Sequence, residues 1–132
     1  MADTMTFDLV SPERKLASVE ATSVNIPGME GDMTAMPNHA AFLTTLRPGV
    51  VKVNNGNDVT EYIVTGGFAE ISATGTTVLA EFAIPKAEAT AEILQSFLEQ
   101  AKADLERAQE HQLADATRRV ADYHDLFLRH SL

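Results

Sequence analysis

Gly49–Ile84, GVVKVNNGNDVTEYIVTGGFAEISATGTTVLAEFAI, is the stretch whose reading decides the fold. Short apolar segments alternate in it with Asn- and Gly-rich breaks. Val50–Val53 and Val59–Thr65 flank Asn54-Asn55-Gly56-Asn57-Asp58, a strong hairpin signal because Asn, Gly and Asp tolerate positive φ. Gly66-Gly67 turns the chain into Phe68–Ser72, and Ala73-Thr74-Gly75 turns it again into a strand over Thr76–Ile84. Nothing between these segments is long enough for a crossover helix, which argues against a parallel α/β sheet. Short strands at this spacing indicate an antiparallel sandwich or barrel.

The same rhythm extends upstream. Thr6–Val10 alternates weakly, Ser11-Pro12-Glu13 reads as a turn, and Thr22, Val24 and Ile26 share one face of Glu20–Ile26 at period two. Phe42–Leu46 is a further strand before the Arg47-Pro48-Gly49 turn. Residues 1–85 are thus expected to form an antiparallel β-sandwich of about ten short strands.

One stretch breaks the rhythm. Gly28–Gly49, GMEGDMTAMPNHAAFLTTLRPG, packs turn signals at Pro27-Gly28, Gly31-Asp32, Pro37-Asn38 and Pro48-Gly49. It reads as a compact loop with an acidic rim, Glu30 and Asp32, one histidine, His39, and a strand returning to the sheet. Met29, Met33, Met36 and His39 are soft donors that would suit Cu(I). Methionine more often fills irregular apolar gaps, so packing beneath the loop is the expected role and no metal is expected. Two carboxylates are too few for a calcium cage.

At Pro85 the composition changes. Residues 86–132 contain neither Gly nor Pro and are rich in Ala, Leu, Glu and Arg, all good helix formers apart from their context. Leu94, Phe97, Ala101, Leu105 and Ala108 form one stripe, and Leu113, Ala116, Val120, Tyr123 and Phe127 another. A bend at Glu110-His111-Gln112 gives an antiparallel α-helical hairpin and an α+β protein overall. One continuous helix is the alternative, though alone it would expose its stripe. With few large apolar residues, the hairpin is expected to be marginally stable by itself and to dock on the sandwich or on a partner.

Composition narrows the function. The chain has 132 residues and 45% apolar residues, enough for one domain with an appendage. No apolar run has the length of a membrane helix, and the N-terminus lacks the pattern of a secretory signal. The net charge of −9 argues against nucleic acid and against direct adsorption to an anionic membrane. There is no Cys and no G-x-S-x-G elbow. His111, His124 and His130 fall in the helical stretch, where exposed polar residues belong. Gly28-x-x-Gly31 and Gly66-Gly67 precede no helix that could hold a phosphate. Glu70 and Glu81 lie in strand-like segments and could face each other, but solvated strand faces explain them as well. Arg118, Arg119 and Arg129 against Asp115, Asp122 and Asp125 read as a solvated helix face. No catalytic set emerges, and an accessory protein rather than an enzyme is expected.

The order of the motifs carries a resemblance. G-x-E-G-D at Gly28–Asp32, P-N-H-A at Pro37–Ala40, L-T-T-L-R-P-G at Leu43–Gly49, T-G-G-F-A-E-I at Thr65–Ile71 and T-V-L-A-E at Thr77–Glu81 resemble the ε subunit of F-type ATP synthases, called δ in mitochondria. F-D-L-V-S-P at Phe7–Pro12 and the closing Ala-rich helices are similar too. The resemblance implies a central-stalk rotor subunit. Its sandwich would bind the γ subunit and the c ring, and its arm could reach the α/β subunits of the catalytic head and restrain ATP hydrolysis. Glu30, Asp32, Met36, Pro37 and His39 would face the c ring and γ, and Arg118, Arg119 and Arg129 would be the inhibitory contacts of the arm. The membrane would be met only through the c ring, on the cytoplasmic face of a bacterial inner membrane.

Departures from the family pattern refine this. Asn38 stands where the family often has Gly, and Asn tolerates positive φ. Ala41 replaces a frequent Pro. Some bacterial relatives bind ATP through Ile/Leu-Asp-x-x-Arg-Ala early in the first helix. Glu88–Leu94 lacks both the Asp and the Arg, so no regulatory ATP site and no cofactor are expected. The rival reading is a stand-alone β-sandwich binding module that dimerises through its helices.

Overall fold

The computed structural model describes residues 3–131. The first seven strands are β1 (Met5–Val10), β2 (Lys15–Ala21), β3 (Ser23–Gly28), β4 (Gly31–Ala35), β5 (Phe42–Leu46), β6 (Gly49–Asn55) and β7 (Asp58–Val64). Then come β8 (Gly67–Ile71), β9 (Gly75–Ala80) and β10 (Ala83–Pro85), a 3₁₀ turn at Lys86–Glu88, and helices α1 (Ala91–Arg107) and α2 (Leu113–Ser131). The architecture is the expected α+β one, a ten-stranded sheet followed by a helical hairpin.

The strands pair in the order β10-β7-β6-β3-β5-β8-β9-β1-β2, with β4 added on β3. β2, at one end of this path, lies against β6 and β10 near the other. The sheet therefore folds over on itself and encloses Phe7, Leu9, Ile26, Val51, Ile71 and Val78. Alternation decides which side chains enter. Met5, Phe7 and Leu9 of β1 are buried while Thr6 and Asp8 face outward. Every pairing is antiparallel except β1 with β9, where Thr6 lies opposite Gly75. That pair needs no crossover helix, because its strands are separated by most of the sandwich.

Two segments that read as single strands are corners. Glu20–Ile26 breaks at Thr22, whose N–H and Oγ1 both donate to the Asn54 carbonyl oxygen, at 2.7 and 3.0 Å. The chain there leaves β1 and joins β6. Thr76–Ile84 breaks at Glu81-Phe82, where Glu81 N–H donates to Gly66 O at 3.0 Å and Thr65 N–H to Phe82 O at 3.2 Å. β9 pairs with β8 and β1, while β10 pairs with β7. Strands that change layers make such corners.

Gly28–Ala35 also differs from its reading as a loop. β3 and β4 form a regular hairpin, Val24 opposite Ala35 and Gly28 opposite Gly31, closed by the two-residue turn Met29-Glu30. The turn signals are real, but the residues between them pair as strand. Gly67, with φ +122°, marks the entry to β8, and a Cβ there would lie 2.0 Å from the Leu79 carbonyl oxygen. Only Gly fits.

The chain separates into two compact units, Met1–Ala87 and Glu88–Leu132. In the second, Thr90 caps α1 by accepting from Ile93 N–H at 3.2 Å. The helix ends at Ala108, and a 3₁₀ turn at Glu110–Gln112, closed by reciprocal bonds between Gln109 and Gln112, opens α2. The bend thus falls where it was expected. Leu98, Ala101 and Tyr123 form the hairpin's own core, with Phe97 and Val120 against them. Leu98 and Leu126, outside the two expected stripes, are buried, whereas Leu113 is exposed. His111 and His124 are exposed; the side chain of His130 lies outside the described residues.

Candidate functional site

Two turns meet beside the end of β3. The Met29-Glu30 turn caps the β3–β4 hairpin, and Arg47 opens the turn from β5 to β6. Backbone bonds join them: Met29 N–H donates to Thr45 O at 2.9 Å and Arg47 N–H to Pro27 O at 3.0 Å. The Arg47 guanidinium crosses the gap. Its Nε donates to Gly28 O at 3.2 Å and its Nη2 to the Asp32 carboxylate. Glu30 sits exposed at the tip.

Met36, Pro37 and His39 lie elsewhere. They belong to a turn in which His39 N–H donates to Met36 O at 3.1 Å and Asn38 takes φ +68°. Asn38 therefore occupies the left-handed conformation that Gly would fill. Its N–H donates to Ala73 O at 2.9 Å, which ties this turn to the β8–β9 connection. His39 Nδ1 lies 2.6 Å from the Ala40 carbonyl oxygen. The acidic turn and the histidine turn stand at opposite ends of β4. Ala35 lies four steps along the strand from Gly31, roughly 13 Å.

The sequence placed these residues on one edge; the structure resolves them into two patches joined by the outer face of β4. Asp32, Thr34 and Met36 point outward along it, while Ala35 is buried and Met33 packs on the core. Met36 is 54% exposed, so it does not pack beneath a loop, and Met33 and Met36 cannot converge on one ion. Among the described residues no three of His, Asp or Glu group closely enough to hold a metal. Next to Thr34 runs a polar row, Asn25 Nδ2 donating to Thr34 Oγ1 at 3.1 Å and Asn54 Nδ2 to Asn25 Oδ1 at 3.0 Å.

A second surface lies on the outside of β5, β8, β9 and β1. Thr45 is opposite Phe68, Phe68 opposite Leu79, and Leu79 opposite Val10. Phe68 and Leu79 are each about half exposed, and Leu43 on the neighbouring row is 65% exposed. Sequence reasoning assigned no role to this row or to Arg47. Period-two alternation within Phe68–Ile71 carried the signal, since Phe68 is out of phase with the buried Ala69 and Ile71. Glu70 and Glu81 do not face each other. Glu70 is opposite Thr77, and Glu81 lies four residues further on, roughly 13 Å along the strand direction.

On α2, Arg118, Arg119 and Arg129 are exposed. Arg118 and Arg129 are about three helical turns apart and share a face. Arg129 Nε pairs with Asp125 Oδ2 at 3.0 Å. Arg119 instead lines an inter-helix groove of about 310 Å³ with Asp104, Gln112, Asp115 and small alanines. The three arginines therefore form no single patch. Burial between the layers pushes the Tyr62 pKa up.

The first unit is a β-sandwich with exposed polar turns and an exposed apolar row, and the second is a helical hairpin. The chain belongs to the ATP synthase delta/epsilon chain family: the β-sandwich domain of that family matches residues 4–86. It is 56% identical to the ATP synthase epsilon chain of Ruegeria sp. (strain TM1040), covering 100% of both chains. It is 50% identical to that of Rhodobacter capsulatus, covering 92% of each. A chain of the Euglena gracilis mitochondrial ATP synthase superposes with a TM-score of 0.69 at 22% identity, covering 95% of this chain and 78% of that one. One from the central stalk and c ring of the Tetrahymena thermophila enzyme gives 0.64 at 15%, covering 98% of each. These two likenesses show the shared fold.

Proposed function

We propose that this chain is a non-catalytic central-stalk subunit of an F-type ATP synthase, coupling proton-driven rotation of the c ring to the catalytic head. The observation that carries the reading is its 56% identity, end to end, with an ATP synthase epsilon chain. The surfaces suit the role. The two turns are held by backbone bonds to neighbouring segments of the sandwich, which suits torque transmission. The apolar row of Val10, Phe68 and Leu79 with Leu43 is the face offered to γ, since contiguous exposed apolar surface marks association. Glu30, Asp32 and the Met36–His39 turn are offered to polar loops of the c ring, where charge gives register more than affinity.

The helical arm extends or folds to modulate hydrolysis at the head, with Arg118, Arg119 and Arg129 as its basic groups. Their distribution over two faces favours weak restraint over a firm grip on an acidic surface. No regulatory ATP site is proposed, because Glu88–Leu94 lacks the Asp and Arg of the motif. The subunit meets the membrane through the c ring, on the cytoplasmic face in a bacterium. No described helix is long and apolar enough to span a membrane.

Native mass spectrometry of the chain mixed with its γ subunit tests the reading. A one-to-one complex is expected, together with restored proton-driven ATP synthesis when the chain is returned to a complex lacking it. A stable homodimer through the helices that ignores γ would replace this reading with the self-associating binding module.

A further inference from the structure

Asn55 ends β6 and Asp58 begins β7; the two residues pair, so Gly56 and Asn57 form a two-residue turn. Residues 55–60 are all exposed. The asparagines of the chain are held differently. The Asn25 and Asn54 side chains are tied into the polar row with Ser23 and Thr34. The Asn55 side-chain amide has no hydrogen-bond partner among the described residues. It is also the one asparagine followed by a residue without a side chain, since Ile26, His39, Asn55 and Asp58 follow the others. Gly56 takes φ +61°, and nothing lies within 4 Å of the place a Cβ would occupy. Its N–H donates only weakly, to Thr22 Oγ1 at 3.4 Å, beyond the ~2.7–3.2 Å of an ordinary N–H···O bond. A free primary amide therefore stands next to an unscreened and loosely held backbone nitrogen.

We propose that Asn55-Gly56 is a self-modifying site, at which the folded chain deamidates. The deprotonated Gly56 nitrogen attacks Asn55 Cγ, the side-chain nitrogen leaves as ammonia, and a five-membered cyclic imide forms. Water then adds to one of the two imide carbonyls. Opening at Cγ leaves an aspartate on the original backbone. Opening at the main-chain carbonyl leaves an isoaspartate, with one more methylene in the main chain. Water is the only co-reactant and ammonia the only by-product. Either product weakens this end of the sandwich. The new carboxylate stands opposite Asp58, and like charges directly opposite across a strand pair are destabilising. The isoaspartate also shifts Asn54, whose carbonyl oxygen holds the β2–β3 corner by accepting from Thr22 N–H at 2.7 Å and Thr22 Oγ1 at 3.0 Å. The proposal stands apart from the coupling-subunit reading.

The test follows the full-length chain during incubation at neutral and at mildly alkaline pH, folded and in denaturant. Peptide mass spectrometry, with fragmentation that separates aspartate from isoaspartate, reads each asparagine. In the folded chain Asn55 is expected to convert at least about fivefold faster than Asn25, Asn38, Asn54 or Asn57, because glycine leaves the attacking nitrogen unscreened. The rate should rise at alkaline pH, where more of that nitrogen is deprotonated. Asn55→Gln should stop conversion at this position, since its imide would need a six-membered ring. Asn55→Asp, which carries the new charge on an unaltered backbone, should melt about 2 °C below the unmodified chain at low KCl, and the gap should narrow at high KCl. Conversion at Asn55 in denaturant but not in the folded chain would show that the turn protects it and would overturn the proposal. Conversion spread evenly over the asparagines of the folded chain would do the same. An Asn55→Asp chain that melts with the unmodified one at every KCl concentration would overturn the effect assigned to the new charge.

Discussion

Phe97 of α1 and Tyr123 of α2 stack with ring centroids 5.7 Å apart and planes inclined by 12°. This contact sits in the hairpin's small core with Leu98, Ala101 and Val120. Tyr123→Ala should cost the hairpin about 3 kcal/mol, and a cycle with Phe97→Ala should show about 1 kcal/mol of coupling. Hydrogen exchange is the measurement. Amides of α1 and α2 should lose protection in Tyr123→Ala while those of β6 and β7 keep theirs. Equal loss in both units would mean that they unfold together.

Thr76 is fully buried on β9, and its hydroxyl donates to the Met5 sulfur at 3.5 Å. A thioether is a weak acceptor, so the desolvated hydroxyl is poorly compensated. Thr76→Val keeps the shape, removes the hydroxyl and suits a strand. It should leave the melting temperature unchanged or raise it, by up to about 1 kcal/mol of stability. A loss above that would show that the sulfur contact matters more than its chemistry indicates.

Gly67→Ala should be among the most damaging single changes. The added methyl would lie 2.0 Å from Leu79 O, at a φ of +122° that L residues rarely adopt. Relief requires moving β9 away from β8, with a cost of about 3 kcal/mol or more. Chemical denaturation of the variant gives the value. Gly56→Ala, where nothing lies within 4 Å of the added Cβ, should cost less and serves as the comparison.

Burial raises the Tyr62 pKa above its ordinary value near 10. The neutral phenol is favoured in the folded chain, so the unfolded chain loses its proton first as pH rises. Tyr62 therefore contributes stability that is intact below about pH 10 and declines above it, until the folded phenol ionises as well. Tyr62→Phe should reduce the alkaline loss of stability. Denaturant melts between pH 8 and pH 11, on the order of one unit apart, would show it.

Calorimetry of the chain with ATP should show no binding in the micromolar range. Thr90, Glu92 and Ile93 begin α1 as an ordinary capped helix, and neither an Asp nor an Arg stands in Glu88–Leu94. Micromolar heat would place a nucleotide site elsewhere in the arm, with the groove beside Asp104 and Arg119 the first place to mutate.

Much of the fold was legible because turns and periodicity are local. Asn54–Asp58, Gly66-Gly67 and the change at Pro85 each act within a few residues. The corners at Thr22 and Glu81-Phe82 were not legible, since a strand that changes layers keeps its alternation and only its partners change. Leu98 and Leu126 escaped for a related reason. A stripe read by spacing is uncertain by one helical position until the facing helix is known.

The sequence by itself determined that a sheet domain precedes a helical arm, because Gly, Asn and Pro punctuate residues 1–85 and vanish after it. It also determined which residues carry charge at the polar turns. Only the tertiary structure decided how those residues are grouped. β4 holds Glu30 and His39 apart, Arg47 reaches Asp32 across fifteen positions of sequence, and β1 finds its parallel partner in β9, far along the chain. Such contacts depend on which strands become neighbours, and no local preference records that choice.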